Sequence, residues 1–239
     1  MEDFDHDIFY TKDVNFDGLK DLEVTLQIHK ADSKAVLIMY PGADGSIDGY
    51  NKKYRKLAHL VKSQNIATVV RLDNKYCCLD GSPYCELMID KIAKVIEYVN
   101  NNAEKITGHS EVDIYLAGVS AGAGAIATVV GEFPEIKKVL FIAPAESVGK
   151  ENITRGLKNY TGELYLVAGE NDEIRTFDSA RIYYEACKNS SKKELVIIPE
   201  CDHHFTGEKN GRIMANAFLW AFSGEGNFPS HEGGVILYD

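Results

Sequence analysis

A serine flanked by glycines is the first feature of this sequence with the potential for chemistry. Gly118, Ser120 and Gly122 form a GxSxG pentad. A strand that turns sharply into a helix holds the residue at the bend in a strained conformation with its side chain pushed outward. Larger residues two positions before and after would collide there, so both positions favour glycine. The pentad predicts that Ser120 is a nucleophile, provided that a base accepts its proton.

The residues around the pentad favour this strand-turn-helix arrangement. Residues 112–117 are rich in β-branched and aromatic side chains, which is typical of a strand. Residues 121–127 are mostly alanine, and such small side chains allow a helix to pack closely on a sheet. A tight glycine turn with an inert serine is the alternative interpretation of the same residues.

A nucleophilic serine needs a histidine, and the histidine needs a carboxylate. Asp172 follows a predicted strand at 163–168, and His203 follows another at 195–199. This order of serine, acid and histidine, each after a strand, resembles the α/β-hydrolase family. The resemblance implies that Ser120 is the nucleophile, His203 the base and Asp172 the acid.

Neighbouring residues leave alternatives open for the base and the acid. His204 stands beside His203, but in the family's Gly-Ala-Asp-His type of ending the base directly follows an aspartate, as His203 follows Asp202. Asp172 is preferred as the acid because it matches the family's acid loop. Glu146 is a further candidate for the acid, because it follows the predicted strand one earlier than the strand before Asp172. The other candidates lie close to Asp172 in the sequence: Glu170, Glu173 and Asp178.

The family resemblance also implies an oxyanion hole made of two backbone N–H groups. One is that of Ala121, the residue after the nucleophile. The other is that of Ala43, in the loop after a predicted strand at 35–39. This loop departs from the commonest family pattern, because Tyr40 and Pro41 stand where a histidine usually precedes the glycine. Asp44 would oppose an oxyanion unless its carboxylate points away.

The pattern of elements predicts an α/β-hydrolase fold, an α/β architecture. Strands alternate with helices along the chain, which favours a mainly parallel sheet with helices on both faces. Alternating apolar residues at 22–28 after a turn predict an antiparallel N-terminal edge. We expect residues 1–239 to form a single domain, with a surface loop after Ser223.

The length of the segment before the acid strand indicates how open the site is. Only residues 145–162 separate the strand after the pentad helix from the acid strand, which leaves little or no room for a cap over the site. We therefore expect an open site. In this respect the chain is similar to small cap-less esterases, dienelactone hydrolases and acyl-protein thioesterases.

Composition restricts the partners and the location. The net charge of −10 disfavours nucleic acid and anionic membrane surfaces as partners. The N-terminus is acidic where a signal peptide is basic, and no apolar run approaches the roughly 20 residues of a membrane span. We therefore expect a cytoplasmic protein without membrane insertion. No CxxC spacing occurs among the five cysteines, for which we expect free thiols: Cys77, Cys78, Cys85, Cys187 and Cys201.

Together these features predict a serine hydrolase that cleaves a carboxylic ester or thioester through an acyl-enzyme on Ser120. Its substrate would be a small-molecule or carrier-bound acyl compound, and neither a metal nor an organic cofactor is implied. A catalytically weak ligand-binding or interaction module is an alternative from another class. A serine acyltransferase or a peptidase would use the same residues. The sequence leaves the oligomeric state open.

Overall fold

Nine strands of the described residues form one sheet at the centre of the structure. The computed structural model describes residues 5–16, 19–75, 84–224 and 235–236. The strands lie in the spatial order β1-β2-β4-β3-β5-β6-β7-β8-β9. Their bounds are β1 Asp5–Phe16, β2 Leu19–His29, β3 Ala35–Tyr40, β4 Thr68–Arg71, β5 Asp113–Val119, β6 Ile136–Ile142, β7 Glu163–Gly169, β8 Lys192–Ile198 and β9 Val235–Ile236.

The six central strands are parallel and both edges are antiparallel. Parallel pairing runs continuously from β4 through β3, β5, β6 and β7 to β8. At one edge β2 pairs antiparallel with both β4 and β1, and at the other β9 pairs antiparallel with β8. The parallel strands therefore bring their carboxyl ends, and the loops that follow, to one edge of the sheet, where α/β proteins bind ligands.

Seven α-helices lie among the described residues, and they pack on both faces of the sheet. They are α1 Lys53–Ser63, α2 Tyr84–Asn101, α3 Ala103–Thr107, α4 Ala121–Val129, α5 Lys150–Lys158, α6 Asp178–Ala186 and α7 Glu208–Ser223. All six residues of β3 are buried, and alternate ones serve different cores. Val36 and Ile38 join a cluster with α2 to α6, whereas Leu37 and Met39 join a cluster with α1 and α7.

The architecture confirms the predicted α/β-hydrolase fold, including the antiparallel N-terminal edge. Between β6 and β7 the chain forms one α-helix, α5. The expectation of a loop after Ser223 is wrong in part, because Val235 and Ile236 form β9. The four apolar residues at 235–238 form a short run after two glycines, and such a run alone does not distinguish a strand from a loop. The edge of β8 supplies the partner with which Val235 and Ile236 pair. No helix in the described ranges has the length and apolar character needed to cross a membrane.

The cysteines differ from the expectation of free thiols at one position. Cys85, in α2, takes part in a disulfide bond, whereas Cys187 and Cys201 are free and buried. Cys77 and Cys78 lie outside the described residues. Sequence spacing alone does not show which thiols the fold brings within bonding distance, so it could not distinguish Cys85 from the others.

Candidate active site

Ser120 occupies the sharp turn between β5 and α4. Its backbone has φ 51° and ψ −120°, a conformation that is strained for a residue other than glycine. A Cβ at Gly118 would lie 2.7 Å from the Cα of Ala123. One at Gly122 would lie 2.6 Å from the carbonyl oxygen of Tyr40, in the neighbouring strand β3. The structure therefore gives both glycines of the pentad the steric reason that the sequence suggested.

The loops after β7 and β8 are joined to each other by backbone contacts. The N–H groups of Glu170 and Asn171 donate to the carbonyl oxygens of Ile198 and Cys201, each at 2.9 Å. A Cβ at Gly169 would collide with the Cys201 carbonyl group, so the two loops approach more closely than a larger residue would allow. This close approach brings the loop that carries Asp172 and the loop that carries His203 together, beyond the last paired residues of β7 and β8.

Ser120, His203 and Asp172 form a continuous hydrogen-bonded chain. His203 Nε2 lies 3.0 Å from Ser120 Oγ, and His203 Nδ1 lies 2.6 Å from Asp172 Oδ2. Both His203 and Asp172 are buried. The other carboxylate oxygen, Asp172 Oδ1, accepts from the backbone N–H groups of Ile174 at 3.0 Å and Arg175 at 2.7 Å. These two bonds fix the carboxylate, which in turn fixes the imidazole ring.

The alternative candidates for the base and the acid lie outside this hydrogen-bonded chain. His204 is exposed and meets His203 edge to face, with ring centroids 5.3 Å apart. Each of the other carboxylates has a different neighbour or faces solvent. Glu146 accepts from Ser179 Oγ, Glu170 accepts from the backbone N–H of Glu200, Asp178 pairs with Arg181, and Glu173 is exposed.

Ala121 and Ala43 occupy different positions relative to Ser120. Ala121 is the first residue of α4, so its N–H has no acceptor within the helix. The positive end of the helix dipole also favours a negative charge there. Ala43 is exposed in the loop after β3. The residue before it, Gly42, packs against Ser120, since a Cβ at Gly42 would lie 3.2 Å from Ser120 Cβ.

One residue that contacts this loop was missed by sequence analysis. Asn74 is fully buried after β4, and its Nδ2 donates to the carbonyl oxygens of Pro41 at 3.2 Å and Gly42 at 3.1 Å. The signal in the sequence was weak, because Asn74 is a single polar residue that follows β4, the strand beside β3. Asp44, with φ 53°, is exposed.

Burial changes the chemistry of the Cys201 thiol, which stands two positions before His203 in the sequence. Cys201 is fully buried, and burial raises the pKa of its thiol to about 12. The thiol therefore stays protonated near neutral pH, and a protonated thiol is a poor nucleophile. Within the described residues, no group of three or more His, Cys, Asp or Glu side chains is arranged to hold a metal ion.

Comparison with known proteins identifies the fold and not the sequence family. No protein-family model matches the chain, and no curated protein matches it in sequence. Solved structures do match over nearly the whole chain. A dienelactone hydrolase from Anabaena variabilis is 14% identical, with a TM-score of 0.66, and the match covers 92% of this chain and 100% of that one.

Two further structures show the same likeness. The esterase domain of a Rhodothermus marinus protein is 14% identical, with a TM-score of 0.63, over 90% of this chain and 96% of that one. An alpha-beta serine hydrolase homologue from Coxiella burnetii is 20% identical, with a TM-score of 0.62, over 89% and 94%. The chain therefore has the α/β-hydrolase fold. This confirms the resemblance to the α/β-hydrolase superfamily at the level of the fold.

Proposed function

We propose that this protein is a serine hydrolase that cleaves carboxylic esters or thioesters through an acyl-enzyme on Ser120. The observation that carries the proposal is the hydrogen-bonded chain from Ser120 Oγ through His203 to the buried carboxylate of Asp172. Three residues distant in sequence meet at hydrogen-bonding distances in the order that nucleophilic catalysis needs. The hydrolase and esterase structures that share the fold support the same class of reaction.

The geometry supports a two-stage mechanism. In the first stage Ser120 Oγ attacks the carbonyl carbon while His203 Nε2 accepts its proton, and the carbonyl oxygen becomes an oxyanion. Asp172 stabilises the imidazolium that forms. The bond to the alcohol or thiol then breaks, the leaving group takes the proton from His203, and the acyl group remains on Ser120.

Water completes the reaction in the second stage. His203 Nε2 accepts a proton from a water molecule as its oxygen attacks the acyl carbon. The second oxyanion collapses, Ser120 recovers its proton from His203, and the carboxylic acid leaves. In both stages the N–H groups of Ala121 and Ala43 would stabilise the oxyanion, a contribution of roughly 3 to 4 kcal/mol per donor in measured cases.

Features around the site favour small-molecule or carrier-bound acyl compounds as substrates. The segment between β6 and β7 forms only α5, which packs beside α4 and α6 in one apolar core of the sheet. A helix in that position does not supply a separate cap over Ser120. A serine that this segment leaves uncovered would accept an acyl group attached to a bulky leaving group, such as a thiol carrier, as well as smaller esters.

The test is hydrolysis of p-nitrophenyl esters and acyl thioesters of graded chain length by the wild type and by Ser120→Ala. Turnover is expected in the wild type and is expected to be lost in Ser120→Ala. Ser63→Ala is a matched control, because Ser63 lies at the exposed end of α1, where its hydroxyl donates to the Leu60 carbonyl. Turnover that persists in Ser120→Ala would refute the proposal.

Two other outcomes of these assays would favour a different function. Thermal stabilisation by acyl ligands without any turnover would favour a binding module. If an added alcohol or amine captured most of the acyl group, the protein would be an acyltransferase that uses the same residues.

A further inference from the structure

We propose that Asn74 is a positioning residue for the oxyanion hole: its side-chain amide aims the Ala43 N–H at the substrate oxygen. This inference rests on the proposed function, because an oxyanion forms only if Ser120 attacks an acyl group. Asn74 does not touch the reacting atoms in this account. It acts by fixing the direction of one peptide group beside them.

Asn74 holds the loop after β3 through three hydrogen bonds. Its Nδ2 donates to the carbonyl oxygens of Pro41 and Gly42. Its backbone N–H donates to the carbonyl oxygen of Gly45 at 2.8 Å. A fourth bond lies within the loop, where the Gly45 N–H donates to the same Gly42 oxygen at 3.0 Å. A primary amide carries two N–H donors, so one Asn side chain serves both carbonyl groups.

Peptide geometry converts these contacts into an orientation for Ala43. The carbonyl group of Gly42 and the N–H group of Ala43 belong to one planar peptide, and in the trans form they point in opposite directions. Asn74 and the Gly45 N–H hold the Gly42 oxygen on the inner side of the loop. The Ala43 N–H must therefore point away from Asn74. Because Gly42 packs against Ser120, this peptide lies beside the nucleophile.

No side chain at the start of the loop serves the same purpose. The Tyr40 hydroxyl donates to the Met88 carbonyl in α2, within the core, and proline has no side-chain donor at position 41. Support for the loop comes instead from the segment after β4, the strand that pairs with β3 on the side away from β5.

The segment that carries Asn74 is itself anchored to α2. Lys91 is almost fully buried, and its Nζ donates to the backbone oxygen of Asp73 at 2.8 Å and to Asp73 Oδ1 at 2.5 Å. A buried ammonium group is costly unless it is paired, so this pair resists displacement of the turn. The residue next to Asp73 is Asn74, and its amide is consequently presented to the loop from a fixed position.

The experiment compares Asn74→Ala and Asn74→Asp with the wild type on an ester that the wild type hydrolyses. Asn74→Ala removes both N–H donors of the amide, and the isosteric Asn74→Asp places one carboxylate oxygen against the two carbonyl oxygens. We expect kcat to fall by about tenfold to a hundredfold in Asn74→Ala, less than the loss of a whole oxyanion donor, and further in Asn74→Asp. KM should stay within about twofold, because ground-state binding does not use the oxyanion contact.

A second readout separates positioning from a general structural defect. A trifluoromethyl ketone adds to the serine and forms an oxyanion in the same place as the substrate does. Its inhibition constant should rise by the same factor as kcat/KM falls. Asn102→Ala is the matched control, since the Asn102 amide also donates to a backbone carbonyl, that of Tyr98 at 2.8 Å, at the end of α2. This control should leave kcat and the inhibition constant unchanged.

The outcomes distinguish this inference from the function on which it rests. If the wild type shows no turnover that depends on Ser120, the proposed function fails, and this inference fails with it. If turnover depends on Ser120, but both Asn74 variants fold and keep the wild-type kcat and inhibition constant, the inference alone is refuted. If Asn74→Ala does not fold, the isosteric Asn74→Asp decides by the same two measurements.

Discussion

Replacement of Asp172 by asparagine tests the hydrogen-bonded chain with the smallest change in shape. Asp172 Oδ1 accepts two backbone N–H bonds, and Oδ2 accepts from His203 Nδ1. In Asp172→Asn, one position must become NH₂. If the NH₂ faced the two backbone donors, both bonds would be lost. The structure therefore predicts that the new NH₂ faces His203.

The consequence is the wrong histidine tautomer. Each backbone bond contributes about 1 kcal/mol, so the two favour this orientation by about 2 kcal/mol, or roughly thirtyfold. An NH₂ donor at His203 Nδ1 requires that nitrogen to be unprotonated, which places the proton on Nε2. Nε2 then cannot accept the proton of Ser120. For this change in a serine protease triad, kcat falls by about 10⁴, equivalent to about 5 kcal/mol.

The assay is kcat for a p-nitrophenyl ester at neutral pH, with circular dichroism to verify folding. Glu173→Gln is the matched control, because it makes the same carboxylate-to-amide change at an exposed neighbour. We expect a loss of roughly a thousandfold to ten thousandfold in Asp172→Asn and none in the control. A folded Asp172→Asn that keeps kcat within tenfold of the wild type would show that the carboxylate does not set the tautomer.

Four other predictions concern packing and reactivity. Gly122→Ala should destabilise the protein by about 1 to 3 kcal/mol in urea unfolding, because its Cβ meets the backbone of the neighbouring strand. Gly211→Ala, in open space on α7, should instead stabilise it by up to about 1 kcal/mol. Tyr183→Phe leaves a buried carbonyl oxygen without its 2.6 Å partner and should lower the free energy of unfolding by about 1 to 3 kcal/mol, with kcat nearly unchanged. With a pKa of about 12, Cys201 is a thiolate in only about one molecule in ten thousand at pH 8. Iodoacetamide should therefore leave Cys201 unmodified in the folded protein. Rapid alkylation would contradict its burial.

The fold was predictable because its main signals are local. Glycine spacing around Ser120, alternating apolar residues in β2 and unbroken apolar runs such as β3 each reflect short-range geometry. β9 was missed because the four apolar residues at 235–238 are too few to show a periodicity. The disulfide at Cys85 was missed because thiol proximity is a tertiary property.

The candidate site was predictable only in part. Ser120, Asp172 and His203 were found from their order and from the strands before them, and the structure brings these three together. Choosing His203 over His204 relied on the family pattern. Asn74 was not found, because its importance comes from two carbonyl oxygens more than thirty positions away in the sequence. A contact of that kind appears only when the neighbouring strands β3 and β4 are paired.

The most direct test of the proposed mechanism is to measure which residue a fluorophosphonate labels and how fast, because this reagent traps an activated serine. Mass spectrometry of the digested protein should find one phosphonyl group, on Ser120. His203→Ala should label far more slowly, whereas the matched change His204→Ala should label at the wild-type rate. An adduct on another residue, or ester hydrolysis that continues after Ser120 is fully labelled, would contradict the proposed chemistry.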